Sequence, residues 1–340
     1  MPGTLANEAL MRVLFIGGTG IISAAVSRLA VRSGIDLWLC NRGQRLDGLE
    51  GAHQMQVDVG DVAALRRAVA GMTFDSVVDW IAYEPSQVER DESIFAGRTK
   101  QYVFISSASA YEKPPRSPFI TESTPLVNPY WQYSRNKIAC EELLMNSYRQ
   151  RGFPVTIVRP SLTYDTVLPI AVGGWGCATL LDRMKSGRRV IVHGDGSSLW
   201  TVTHSEDFAR GFVPMLGHPQ AVGQSYHITS DEVLNWNQIY TTIADALGVS
   251  AKIVHIPSDF IAAIEPEMGP GLLGDKAHSV IFDNSKIKRL VPEFVATIPF
   301  HVGIRKTIAW FQADPKRWVV NPDVHAAMDR ILAAWERALP

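Results

Sequence analysis

Short apolar runs alternate with segments whose apolar residues recur every three or four positions through the first half of the chain. Arg12–Ile16 (RVLFI), Asp36–Cys40, Gln54–Val57, Ser76–Ala82, Tyr102–Ser106 and Val155–Arg159 read as strands. Ile22–Ser33, Val62–Ala70 and Trp131–Met145 read as helices, with Gly34 and Gly71 closing the first two. Strands that are apolar on both faces and alternate with helices predict a doubly wound α/β fold, a parallel sheet covered by helices on both sides.

Beyond residue 165 the alternation loosens. Helices are expected at Ala178–Lys185, Asp207–Leu216, Trp236–Leu247, Thr297–Phe311 and Asn321–Leu339, with a strand at Val190–His193. The expected organisation is a nucleotide-type domain over 11–165, with a later contribution from about 200–235. A smaller, mostly helical substrate region follows over 166–199 and 236–340, and 1–10 reads as a loose leader. The last strands and helices should pack over the C-terminal edge of the sheet, where open α/β sheets bind ligands.

Composition narrows the function class. The 340 residues are 46% hydrophobic and 20% charged, with a net charge of −1, which does not favour a nucleic-acid binder. Cys40, Cys140 and Cys177 form neither a CxxC pair nor a cluster with histidine, so no metal site is expected. Three sparse cysteines fit a reducing compartment, and the expected location is cytoplasmic. The apolar runs are too short to span a bilayer.

The first strand runs into Gly17-Gly18-Thr19-Gly20-Ile21-Ile22-Ser23 and then a helix. That context is the one a dinucleotide-binding turn of Rossmann type requires. Gly17 permits the tight turn, Gly20 lets backbone approach a pyrophosphate, and the helix N-terminus favours its charge. Ser23 replaces a third glycine and is small enough for close packing. Thr19, Ile21 and Ile22 belong to the same turn. Asn41 ends the second strand where an acidic residue would bind the ribose of NAD; its neutral amide removes repulsion against a 2′-phosphate. Arg42, with Arg45, either pairs with that phosphate or is a solvated loop arginine. These residues lean toward NADP over NAD. Asp58, followed by Val59, either accepts from the adenine amino group or caps the helix that starts near Val62. Ile81, at the end of the fourth strand, completes the cofactor set.

Tyr133 and Lys137 lie four apart on a helix, so both project from one face. A free phenol titrates near pH 10, so lowering it by about 3 units needs roughly 4 kcal/mol of preference for the phenolate. A lysine ammonium and an oxidised nicotinamide are the expected sources. Tyr133 would then exchange a proton with a substrate oxygen while hydride moves to or from the nicotinamide, and Lys137 would also hold the ribose. The fifth strand ends in Ser106-Ser107-Ala108-Ser109-Ala110-Tyr111, and a serine at such a tip faces the crevice. Tyr133→Phe and Lys137→Ala are each expected to remove turnover and spare the fold.

The glycine turn, Asp58, FISSASAY, YSRNK and VRPSLTY occur in the order and spacing of the extended short-chain dehydrogenase/reductase superfamily, the NAD-dependent epimerase/dehydratase family, which this sequence resembles. The resemblance implies Ser107, Tyr133 and Lys137 as the catalytic triad, and backbone near Pro160–Leu162 on the carboxamide. It also implies pairing through the YxxxK helix, hence a homodimer. The short segment Tyr83–Gln101 resembles the atypical subgroup of chloroplast stem-loop-binding proteins, some of which lose YxxxK; here the motif is intact.

Gly194-Asp195-Gly196-Ser197-Ser198-Leu199-Trp200 resembles a substrate motif that places an arginine where Trp200 stands. Trp200 either stacks on a sugar-like ligand or fills the core. His204 is expected in the substrate pocket with Ser109, and Asp207 as a helix cap. Ala108-Ser109 replaces the acidic pair of sugar dehydratases, which disfavours dehydration. The reading is an oxidoreductase acting on a secondary alcohol or ketone of a sugar-like molecule. An epimerase with tightly held cofactor and an RNA-binding or regulatory protein on the same scaffold are the alternatives.

Overall fold

The computed structural model describes residues 10–43 and 49–339. The expected leader at 1–10, apart from Leu10, and Arg45 lie outside them. Seven parallel strands form one sheet: β1 (Arg12–Ile16), β2 (Asp36–Asn41), β3 (His53–Gln56), β4 (Ser76–Asp79), β5 (Tyr102–Ile105), β6 (Val155–Val158) and β7 (Ser225–Tyr226). Their order across the sheet is β3-β2-β1-β4-β5-β6-β7. The order reverses between β1 and β4, and the crevice at that switch point is where such sheets take ligands. The fold is therefore the doubly wound Rossmann type.

Burial explains the apolar runs. Val13–Ile16, Val77–Val78 and Tyr102–Phe104 are shut off from solvent on both faces. Val13, Phe15, Leu37, Leu39 and Val78 face one apolar layer that includes helix Ser205–Phe212. Leu14, Ile16, Val77 and Phe104 face the other. The helices that position the site are α1 (Ile21–Arg32), α2 (Val62–Ala68), α3 (Pro85–Phe95) and α4 (Gln132–Arg151).

Helix α3 lies in the segment read as merely short. Pro85 opens it, and the Gln87 side chain accepts from the Glu84 N–H at 3.0 Å, which stops the first turn from fraying. Only Val88, Asp91, Ile94 and Phe95 are buried along it, so its apolar stripe is thin.

A third apolar cluster gathers Trp200, Trp236, Tyr240, Phe300, Ile304 and the last helix, Pro322–Ala338. Several two- and three-residue ladders tie this part together, among them Leu199–Trp200 with Leu234–Asn235 and Val202–His204 with Leu162–Tyr164. No helix among the described residues is long and apolar enough to cross a membrane.

Candidate active site

A cleft of about 710 Å³ opens along the C-terminal ends of β1, β2, β4 and β5. Its floor at one end is the turn after β1. Gly17 and Gly18 have φ of 96° and 90°, so both sit in the left-handed region that favours glycine. A Cβ on Gly18 would stand 2.8 Å from Leu39 Cδ2. Gly18, unassigned from the sequence, thus carries the conformational demand together with Gly17. Gly20 is the N-cap of α1 with φ −83°, and its N–H donates to Ser23 Oγ at 2.8 Å. Ser23 therefore does more than stay small: it satisfies one free donor of the helix end. Ser27 Oγ donates to the Gly18 carbonyl at 2.7 Å and pins the turn from below.

Thr19, Ile21, Ile22, Asn41, Arg42, Asp58, Val59, Ile81 and Pro160 all line the cleft. Asn41 Oδ1 accepts from the Gly43 N–H at 2.7 Å, and its buried Nδ2 has no partner among the described residues. Ser161, another lining residue, has a buried hydroxyl that is also unpartnered. Buried donors are rarely left unmade, so both fit a ligand rich in hydroxyl and phosphate oxygens. Asp58 accepts from Gly60 N–H at 2.9 Å, and Asp61, not Asp58, caps α2 by accepting from Ala64 N–H at 2.9 Å. That removes the capping role open to Asp58.

Leu162 does not line the cleft. Its neighbours Ser161 and Thr163 do, because alternation along the short strand turns Leu162 toward the apolar cluster.

The other end of the cleft is built on α4 and the tip of β5. Ser107, Tyr133 and Lys137 meet there, with Tyr83, Ile105 and Ser106. Lys137 Nζ donates to the carbonyls of Ala82 at 2.6 Å and Ile105 at 2.7 Å, so two of its three donors are fixed. Burial pulls its proton affinity down, to a pKa of about 8.

Tyr133 differs from the expectation. Burial pushes its phenol up to about 12, and the nearby Ser107 hydroxyl only partly opposes this. The Lys137 ammonium is turned to the two carbonyls and does not lower it. Burial thus favours the protonated form of the phenol.

Ser109 lies beneath the cleft rather than in it. Its hydroxyl bridges Ser107 Oγ at 2.9 Å and Ser134 Oγ at 2.8 Å, and its N–H donates to Ser107 Oγ at 3.2 Å. It holds Ser107 and does not line the cleft. Trp200 is 2% exposed, packs on Trp236 with ring centroids 5.4 Å apart, and belongs to the core. The Leu199–Trp200 ladder turns its ring inward, so it is not in the substrate position expected for it. His204 is also buried: it caps helix Ser205–Phe212, its Nδ1 accepting from Glu206 N–H at 3.2 Å. Asp207 is then no cap; it accepts from the Thr297 and Ile298 N–H groups at 2.9 Å each.

Sequence reasoning missed Tyr83, Trp80, Ser161, Thr163 and Trp175 in the cleft lining. Gly173-Gly174-Trp175-Gly176 was the available signal for Trp175, since an aromatic residue among glycines is 56% exposed there. Among the described residues no His, Cys, Asp and Glu group could hold a metal.

Residues 92–229 match the NAD dependent epimerase/dehydratase family. The chain is similar to the chloroplast stem-loop binding protein of 41 kDa b of Arabidopsis thaliana, 24% identical over 265 residues, or 73% of this chain and 67% of that protein. It is also similar to 3beta-hydroxysteroid-dehydrogenase/decarboxylase isoform 2 of the same plant, 24% identical over 53% of this chain and only 35% of that protein. In structure it resembles epimerase Mth375 of Methanothermobacter thermautotrophicus, with a TM-score of 0.73, 16% identity, and coverage of 90% of this chain and 94% of that one. This last likeness is one of fold. Taken with the sheet order and the glycine turn, the matches support a resemblance to the extended short-chain dehydrogenase/reductase superfamily, with residues 92–229 matching the NAD dependent epimerase/dehydratase family.

Proposed function

We propose that the protein is an NAD(P)-dependent oxidoreductase that moves a hydride at a secondary alcohol or ketone of a sugar-like small molecule. One observation carries the reading. Ser107, Tyr133 and Lys137 converge at one end of a cleft whose other end is the Gly17–Gly20 turn and Asn41. The bound nicotinamide would supply or accept the hydride. The chain's own part is to hold the dinucleotide along the glycine turn, to hold the substrate oxygen at Ser107, and to pass a proton through the Tyr133 hydroxyl.

A sugar-like substrate is supported by relatives such as the UDP-N-acetyl-alpha-D-glucosaminuronate decarboxylase of Bacillus cytotoxicus, 24% identical over 63% of this chain. Trp200 lends this no support, since its ring is in the core. The test is a panel of sugars, nucleotide sugars and simple ketones, followed by the absorbance of reduced nicotinamide. Net consumption of cofactor with any of them supports the reading. Interconversion of epimers without net consumption would replace it with the epimerase variant. The stem-loop-binding relative motivates the RNA-binding alternative, which calls for salt-sensitive RNA binding that survives Tyr133→Phe. A homodimer through α4 belongs to the same proposal, and light scattering at twice the chain mass is its expected signature.

The cofactor choice rests on Asn41 and Arg42. Arg42 is exposed at the cleft rim, and the buried Asn41 amide offers a donor and no negative charge. NADP is expected to bind more tightly than NAD. Arg42→Ala should weaken NADP about five- to tenfold, the worth of a partly exposed charge-assisted hydrogen bond, and leave NAD unchanged. Calorimetric titration of both cofactors decides it; tighter NAD binding by the unaltered protein would sink the preference.

A further inference from the structure

Lys137 is 1% exposed, yet among the described residues its hydrogen bonds go only to carbonyl oxygens. A buried ammonium needs negative potential from some source, or it surrenders its proton. The charged and titratable groups around it are largely committed elsewhere. Asp79, at the end of β4, accepts from the Ile81 and Ala82 N–H groups at 2.6 and 2.8 Å and from Arg90 at 3.3 Å. Glu141, one turn along α4, is paired with Arg159 at 2.6 Å. The Cys140 thiol is kept protonated by burial, which pushes it up to about 12. Tyr83 and Tyr133 are phenols that burial also raises.

What faces the ammonium directly is a set of rings. Nζ lies 4.6 Å from the centroid of Tyr83, 4.9 Å from Phe104 and 5.8 Å from Tyr133. The three come from different elements: the turn after β4, strand β5 and α4 itself. Tyr83 is 47% exposed and lines the cleft, so its ring stands between Lys137 and the open space. The negative face of an aromatic ring attracts a cation most where water is excluded. Ala82, whose carbonyl receives one Lys137 N–H, is the residue just before Tyr83, so one turn supplies both contacts.

We propose that Tyr83 is a positioning residue: its ring face, together with that of Phe104, holds the Lys137 ammonium charged and poised at the cleft. The role belongs to the ring and not to the hydroxyl. The proposal rests on reading Tyr133 and Lys137 as the proton-handling pair, but its test needs neither substrate nor cofactor.

The test is the titration of Lys137 in the full chain, followed by NMR of protein carrying 13C-labelled lysine, with the Lys137 signal assigned by its loss in Lys137→Met. Tyr83→Phe is expected to titrate with the unaltered protein. Tyr83→Leu should titrate lower by about half a unit to one and a half units, a three- to thirtyfold loss of proton affinity, as expected for a cation–π contact removed from a water-poor site. Tyr83→Trp should move the midpoint upward, because indole is the strongest of the three faces. If Tyr83→Leu does not fold, the Phe and Trp variants decide.

An unchanged or raised midpoint in Tyr83→Leu would overturn the proposal, the second because the ring would then act only as a shield against water. A Phe variant that falls as far as Leu would also overturn it, assigning the effect to the hydroxyl. Failure here leaves the proposed reaction standing. Missing turnover with a normal titration counts against the reaction alone.

Discussion

Tyr133→Phe is expected to cut turnover by a factor of about 10² to 10⁴, the usual worth of a positioned proton donor or acceptor. The substitution keeps the ring, and with it the packing on Trp131 at 5.0 Å and Tyr83 at 6.1 Å. Melting temperature and cofactor affinity should therefore stay near those of the unaltered protein. Lys137→Ala is different, contrary to what the sequence suggests. It also strips the buried carbonyls of Ala82 and Ile105 of their donor, at about 1–3 kcal/mol for each group left unmade. That variant should lose both turnover and stability. The direction of the pH effect follows from the same groups. Burial holds the Tyr133 phenol protonated up to about pH 12, so reduction of a ketone, which needs a proton donor, should run at neutral pH. Alcohol oxidation needs the phenolate and should rise steeply with pH. Lys137, with a folded pKa of about 8 against an ordinary 10.5, binds its proton less tightly folded than unfolded. Its contribution to stability therefore improves as pH rises between those values. Equal steady-state rates for Tyr133→Phe and the unaltered protein in both directions would refute the mechanism.

Local signals in the chain were legible where the structure depends on neighbours in sequence. The turn from β1 into α1 needs glycine at fixed positions, and Tyr133 and Lys137 share a face simply because a helix repeats every 3.6 residues. The parallel sheet follows from alternating elements, whereas its strand order does not, and the two-residue β7 is too short a run to read. The failures are of another kind. Trp200 and His204 sit at the expected places along the chain, but which way a side chain points in a two- or three-residue strand is decided by distant partners such as Leu234 and Tyr164. Tyr83 reaches Lys137 across more than fifty residues of sequence, and no spacing rule spans that gap. Ser109 looked like a substrate contact because it sits beside Ser107; only the Ser134 hydroxyl on α4 reveals that it faces inward.

The largest stability loss is expected from Glu141→Ala. Tyr133, Lys137 and Glu141 stand at intervals of four along α4, and Glu141, like Lys137, ties this face to the sheet. Its carboxylate accepts from Arg159 Nε at 2.9 Å and Nη2 at 2.6 Å, and from the hydroxyl of Ser106 beside Ser107. Glu141 and Arg159 are 2% and 4% exposed. The Arg159 guanidinium also lies over Tyr111, 4.9 Å from the ring centroid, and donates to the Glu122 carbonyl at 3.2 Å. Removing the carboxylate leaves a guanidinium that cannot lose its proton in a site that excludes water. The cost for breaking one side of such a pair is about 3–5 kcal/mol. Glu141→Gln keeps one acceptor and the shape, so it should lose less. The double variant Glu141→Leu with Arg159→Met should recover much of the loss, because two buried charges exchanged for apolar groups of similar size often break even. Urea unfolding of the three variants reads this directly. The double variant bears on function as well: with stability restored but Ser106 unheld, the tip of β5 is no longer fixed to α4. Turnover should then stay low while melting recovers, whereas recovery of both would show that Glu141 serves stability alone.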